Sequence, residues 1–155
     1  MIQRIQSLYL FLIAVLSGLL LNGSLLNFTA KTGTVINVTL TEIVKSTGGQ
    51  GIEVIEKLLP LTVLIIIIPV ISLITIFLYK RRKLQLRLTF VLIILNAALL
   101  IAFIHVSLGV ISEFEAHLEP GYKMFLPLLM LILSVLAYLG IRKDDQLVKS
   151  YDRLR

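Results

Sequence analysis

The chain has 155 residues, 57% of them hydrophobic and only 15% charged, with a formal charge of +6 and no cysteine. A soluble domain is about half apolar and about a quarter charged, and a water-soluble globule this oily would expose aggregation-prone patches. The composition reads as a membrane protein, and the missing cysteine excludes disulfides, thiolate metal sites and iron–sulfur clusters.

An apolar run of about 20 residues is long enough to cross the hydrocarbon layer. Its backbone groups, with no water to meet them there, must be satisfied within a helix. The first such run lies within Ile5 to Leu26. "MIQRIQ" supplies a positive start, but the core continues through "LYLFLIAVLSGLLL" and no A-x-A-like cleavage site follows, so the segment reads as a retained anchor. Ala14 and Gly18, small residues four apart, let a neighbouring helix approach closely.

Residues 27–57 form the first segment between spans. "LLNFTAKTGTVINVTL" alternates twice: Leu26, Phe28 and Ala30 share one face, then Ile36, Val38 and Leu40 share another, with Gly33 in the loop between. That pattern predicts a β-hairpin, which would be marginal alone and would rest on helix ends or a neighbour. "STGGQG" reads as a flexible link. "IEVIEKLLP" places Ile52, Ile55 and Leu59 at helical spacing, which predicts a short amphipathic lead-in to the next span. Asn22, Asn27 and Asn37 each begin an N-x-[ST] triplet, but such residues are also what a hairpin needs.

The second span is expected over about residues 58–79, with Pro69 removing one backbone bond at mid-span. "KRRKLQLR" follows, and the third span covers about residues 88–109. At about 1.5 Å per residue, Asn96 and Ser72 lie at similar depth, so an interhelical Asn96–Ser72 hydrogen bond is the structural expectation. His105, in the outer third, reads as a hydrogen-bonded structural or interfacial histidine and not as a proton-handling group. The loop "ISEFEAHLEPGYK" offers Glu113, Glu115, His117 and Glu119, which could gather around a divalent ion only if the stretch is extended. Pro120–Gly121 more simply turns the chain into the fourth span, residues 124–141.

Arg4, the "KRRKLQLR" loop and the basic residues of the tail fall on one side of such an arrangement, against Lys31, Lys45, Lys57 and Lys123 on the other. Basic residues near span ends stay in the cytoplasm, which predicts both termini on the cytoplasmic side of the membrane. The positive charge is then a matter of topology, and no nucleic-acid partner is implied. Residues 142–155 are expected to form a cytoplasmic amphipathic helix. Leu147, Val148, Tyr151 and Leu154 make one apolar stripe. That stripe would dock through Leu147, Tyr151 and Leu154 on a partner or the inner membrane face, with Arg153 and Arg155 contacting carboxylates or lipid phosphates.

No Asp, Glu, Lys or Arg stands inside a span, so the usual mark of proton relays and ion paths is missing. A small-multidrug exporter would need a glutamate in its first helix, and "YLFLIAVLSGLLL" has none. No nucleotide loop, no H-E-x-x-H and no nucleophile with a base in reach is present. The residues point to a protein without enzymatic activity, cofactor or metal: an accessory or scaffold subunit of a membrane assembly. The alternative is an oligomeric channel or small-solute transporter, lined by Asn96, Ser72 and Ser17 across a subunit interface. Its partners would be the lipid bilayer and either another membrane protein or further copies of the chain.

"MIQRIQSLYLFL" at the start and "RKDDQLVKSYDRLR" at the end, framing the apolar runs, resemble the Bacteroidota integral-membrane family of domain of unknown function 4293. The resemblance implies an inner-membrane protein of unestablished activity, and the family has no assigned catalytic residue to carry over. Some members bear the label of transcription termination factor Rho, but the Walker loop such an ATPase needs does not occur here. The expected fold is an all-α membrane protein, residues 1–155 as one domain: a four-transmembrane-helix bundle with a small extracytoplasmic β-hairpin and a C-terminal cytoplasmic amphipathic helix.

Overall fold

The computed structural model describes residues 2–30, 34–47 and 50–153. Helix α1 (Ile2–Leu20) stops where the polar "NGS" interrupts the apolar run, and Gly23 there takes a left-handed φ of 70°. Leu25 and Leu26 lie beyond that turn. The Leu25 N–H donates to the Val38 carbonyl at 2.6 Å, and Leu26 opens strand β1 (Leu26–Ala30). Strands β2 (Val35–Val38), β3 (Glu42–Thr47) and β4 (Gln50–Lys57) follow, and β5 (Ala116–Glu119) comes much later. They form one five-stranded antiparallel sheet in the order β4-β3-β2-β1-β5.

The sheet obeys the two-residue period where it meets the rest of the protein. Leu26, Phe28, Ala30, Ile36, Val38 and Ile43 are buried, while Asn27, Thr29 and Asn37 are half-buried on the other face. β4 departs from this pattern: every side chain from Glu53 to Lys57 is exposed. The sheet is therefore anchored through β1, β2 and β5, and its β4 side overhangs.

Three further helices complete the fold: α2 (Leu59–Phe77), α3 (Arg82–Phe114) and α4 (Leu126–Arg153). Pro60 in the first turn of α2 removes an N–H that would have no helical partner. Pro69 stands inside the same helix, which continues to Phe77. α1 packs on α2 and α4, and α3 packs on the same two helices from the other side. Leu10, Ile13, Ile65, Ile68, Leu92, Leu99, Met130 and Ala137 fill the space between them. Outward-facing residues are as apolar as the core, among them Val70, Phe77, Ile94, Ile101, Leu108 and Leu139, as expected of helices whose surroundings are lipid.

α3 has 33 residues, about 50 Å at about 1.5 Å per residue, against a hydrocarbon layer of about 30 Å. Its excess length carries Phe114 to the sheet, where the Lys45 ammonium of β3 sits 5.7 Å from the ring centroid. The C-terminal end of α1 and the N-terminal end of α2 meet the sheet as well, so the molecule has a sheet end and an opposite, basic end.

Several expectations are corrected. The all-α, four-span fold is overturned by the five-stranded sheet and by helix length. Three helical segments are long and apolar enough to cross a membrane, Leu59–Phe77, Arg82–Phe114 and Tyr122–Gln146, whereas Ile5–Leu20 is a shorter apolar helix. The run to Leu26 overestimates α1 because Leu25 and Leu26 have a better use in the sheet. The β1–β2 hairpin forms with Phe28 opposite Ile36, but it is one part of a larger sheet. "IEVIEKLLP" is mostly strand and not helical lead-in. Its β-branched Ile52, Val54 and Ile55 suit a pleated ribbon, and pairing with β3 gives the backbone groups partners. The supposed link "STGGQG" spans the end of β3 and the start of β4. The second outer loop supplies β5, which adds to β1 with Ala30 opposite Ala116.

Candidate functional site: a polar cleft among the helix ends

At the basic end, side chains from α1, α3 and α4 and from the turn after α2 enclose a cleft of about 290 Å³. It is lined by Gln6, Ser7, Tyr79, Arg82, Gln85, Ile141 and Asp144. Gln6, 4% exposed, donates its side-chain amide to Asp144 Oδ2 at 2.7 Å. Gly140 makes the room: a Cβ there would come within 2.9 Å of Gln6 Cγ. One face of Arg82 is held by α4, its guanidinium donating to the Asp144 backbone carbonyl at 3.3 Å.

Two features of the cleft are unusual. Arg82 and Asp144 carry opposite charges in the same small space, yet their charged groups do not pair: the carboxylate takes an amide and the guanidinium a backbone carbonyl. Gln85 is only 5% exposed, and its side-chain amide lines the cleft with no hydrogen bond among the described residues.

Below the cleft, polar residues continue along the inner faces of α2 and α3. Thr89 Oγ1 donates to the Gln85 carbonyl at 2.8 Å and Thr75 Oγ1 to the Ile71 carbonyl at 2.7 Å. Ser72 Oγ donates to the Leu10 carbonyl of α1 at 2.6 Å, and Asn96 Nδ2 to the Leu92 carbonyl at 2.9 Å. The expected Asn96–Ser72 bond is therefore not formed. Ser72 ties α2 to α1, Asn96 bonds within its own helix, and Asn96 Oδ1 is buried without a partner. Each hydroxyl in this column has a backbone acceptor, and no ionisable group stands among them.

His105 is exposed on α3, a placement that agrees with the interfacial form of its expected role and not with an interior one. Ser17, Ser72 and Asn96 are fully buried within one chain, so they do not line a subunit interface. Of the loop residues weighed for a metal, Glu113 lies on α3, Glu115 takes a left-handed φ of 46°, and Glu119 accepts from the Thr29 hydroxyl across the β1–β5 pair. This breaks the extended line that would have aimed them together. The backbone of α4 runs helically to Arg153, as the tail pattern predicts. The side chains of Leu147, Tyr151 and Arg153, and all of Leu154 and Arg155, lie outside the described residues.

The cleft itself escaped the sequence reading. Glutamines at 6 and 85 and an aspartate at 144 look like ordinary span flanks, and only Gly140, small within a helix, hints at a close approach.

Three helices long and apolar enough to cross a membrane, with a polar cleft at one end and a five-stranded sheet at the other, fit the class of membrane proteins. The chain matches the family model Domain of unknown function (DUF4293) over residues 2–154 and belongs to that family. No curated protein matches it.

Proposed function

We propose that the protein is a non-enzymatic accessory subunit of an inner-membrane assembly, with its basic end in the cytoplasm and its sheet outside as a platform for a partner. The observation that carries this reading is β4. Its outer edge pairs with no strand among the described residues, and it exposes Val54 and Ile55 by 50% and 37%. A long free edge strand is a template for strand addition by another chain. Orientation is supported by Arg81, Arg82, Lys83, Arg87, Arg142 and Lys143, which belong to the end opposite the sheet. The channel alternative draws no support from Asn96, Ser72 and Ser17, which are spent in the interior.

The test is a photo-crosslinking amino acid at Val54 in cells, with the lipid-facing position Ile101 as control. A discrete protein adduct from Val54 alone is expected. Folded, inserted protein that gives no adduct from any β4 position would sink the platform reading. Sidedness is tested separately, because the chain has no native cysteine: an impermeant thiol reagent should label Thr41→Cys from outside and Lys83→Cys only from within.

A further inference from the structure

The unpaired charges of the polar cleft have a chemical complement. Arg82 keeps guanidinium donors in excess of its single bond to the Asp144 carbonyl, and the Gln85 side chain lines the cleft beside it. Asp144 keeps one carboxylate oxygen without a partner among the described residues, the other being taken by Gln6. Opposite charges this close would normally collapse into an ion pair. Here Gln6 holds the carboxylate, and Gly140 allows Gln6 to reach it. The cleft thus presents a cation with an amide donor, and a carboxylate, as separate sites. Its net charge is zero, although the surrounding loops are basic. An anion alone would meet the Asp144 carboxylate; a cation alone would meet Arg82. A zwitterion satisfies both.

We infer that this cleft binds the head group of a phospholipid bearing a phosphate and a primary ammonium, the phosphate on Arg82 and Gln85 and the ammonium on Asp144. Guanidinium–phosphate contacts are charge-assisted and directional, and a primary ammonium can donate to Asp144 where a quaternary one cannot. The position fits a lipid. The cleft lies where the apolar parts of the helices end, beside Tyr79, which is itself half-exposed, and basic or polar pockets between helix ends are a recurring type of head-group site. The inference rests on the membrane-spanning reading and not on the partner platform, so a failed crosslink at Val54 leaves it standing, whereas cysteine labelling that refutes insertion removes it.

The experiment is native mass spectrometry of the full chain in detergent with equimolar phosphatidylethanolamine, phosphatidylcholine and phosphatidylglycerol. The wild type should retain phosphatidylethanolamine over each competitor by about tenfold, the ratio about 1.4 kcal/mol produces. Arg82→Gln, which leaves the Gln6–Asp144 bond intact, should weaken retention of all three lipids. Asp144→Asn keeps the side-chain shape and should erase the preference over phosphatidylcholine while leaving residual binding. Circular dichroism checks that both variants fold. Equal retention of the three lipids by the wild type, or a preference untouched by both substitutions, overturns the inference. Free phosphoethanolamine, added as a separate arm, should not displace the lipid; displacement would overturn the lipid assignment in favour of a soluble ligand of the same chemistry.

Discussion

The Gln6 side chain donates to Asp144 across 138 positions of sequence, joining the first turns of α1 to the late turns of α4. Because α1 also packs on α2, and α3 on both α2 and α4, this bond closes the helix arrangement at the basic end much as the sheet closes it at the other. A hydrogen bond to a charged group contributes about 1.5–3 kcal/mol. Gln6→Ala should therefore lower stability by that order, read as the midpoint of unfolding in sodium dodecyl sulfate.

Gly140 and Gln6 should be coupled. Gly140→Ala pushes a Cβ to within 2.9 Å of Gln6 Cγ and must displace a side chain whose amide is already committed. Overpacking of this kind costs about 1–3 kcal/mol, against which the helix propensity of alanine returns about 0.5–1 kcal/mol. In the Gln6→Ala background the clash vanishes, and Gly140→Ala should become stabilising. A double-mutant cycle on thermal unfolding in detergent measures the change of sign; additive effects would show that the two residues do not meet.

Ser72 and Asn96 should behave oppositely, although both are fully buried polar residues. Ser72→Ala removes the tie from α2 to the Leu10 carbonyl of α1, and an interhelical bond in a membrane is worth about 0.6–2 kcal/mol. Asn96→Leu gives up only a bond within its own helix and relieves the partnerless Oδ1. Burying an unsatisfied polar atom costs about 1–3 kcal/mol, so this change should be neutral or stabilising. Unfolding midpoints of the two variants, compared side by side, decide it.

At Gly23 the backbone itself sets the outcome. Its φ of 70° disfavours a side chain, while the only neighbour a Cβ would meet is Lys123 Nζ at 3.5 Å, an ordinary contact. Gly23→Ala should cost on the order of 1–2 kcal/mol from left-handed strain, and Gly23→Asn less, since asparagine visits that region more readily. Differential scanning fluorimetry of both variants gives the comparison; equal losses would point to crowding and not strain.

Much of this protein is legible in the order of its residues. Three apolar runs become α2, α3 and α4 because a helix in lipid must satisfy its own backbone, and that constraint acts locally. The alternation around Phe28 and Ile36 announces β1 and β2 for the same reason: a period of two is written in neighbouring residues. The α4 helix through Arg153 likewise follows its local pattern. Tertiary structure alone decided the rest. Ile52 and Ile55 carry a helical spacing, yet β4 is a strand because β3 offers it a register. Ala116–Glu119 looks like loop, yet it pairs with β1 after α3 returns the chain to the sheet. Leu25 and Leu26 would lengthen α1, but Gly23 turns them into the sheet. The cleft is the extreme case, since Gln6, Arg82, Gln85 and Asp144 come from three helices and share no local pattern. Helices satisfy their hydrogen bonds from nearby residues, so sequence periodicity can report them; strands and clefts take their partners from distant ones, so only the assembled fold specifies them.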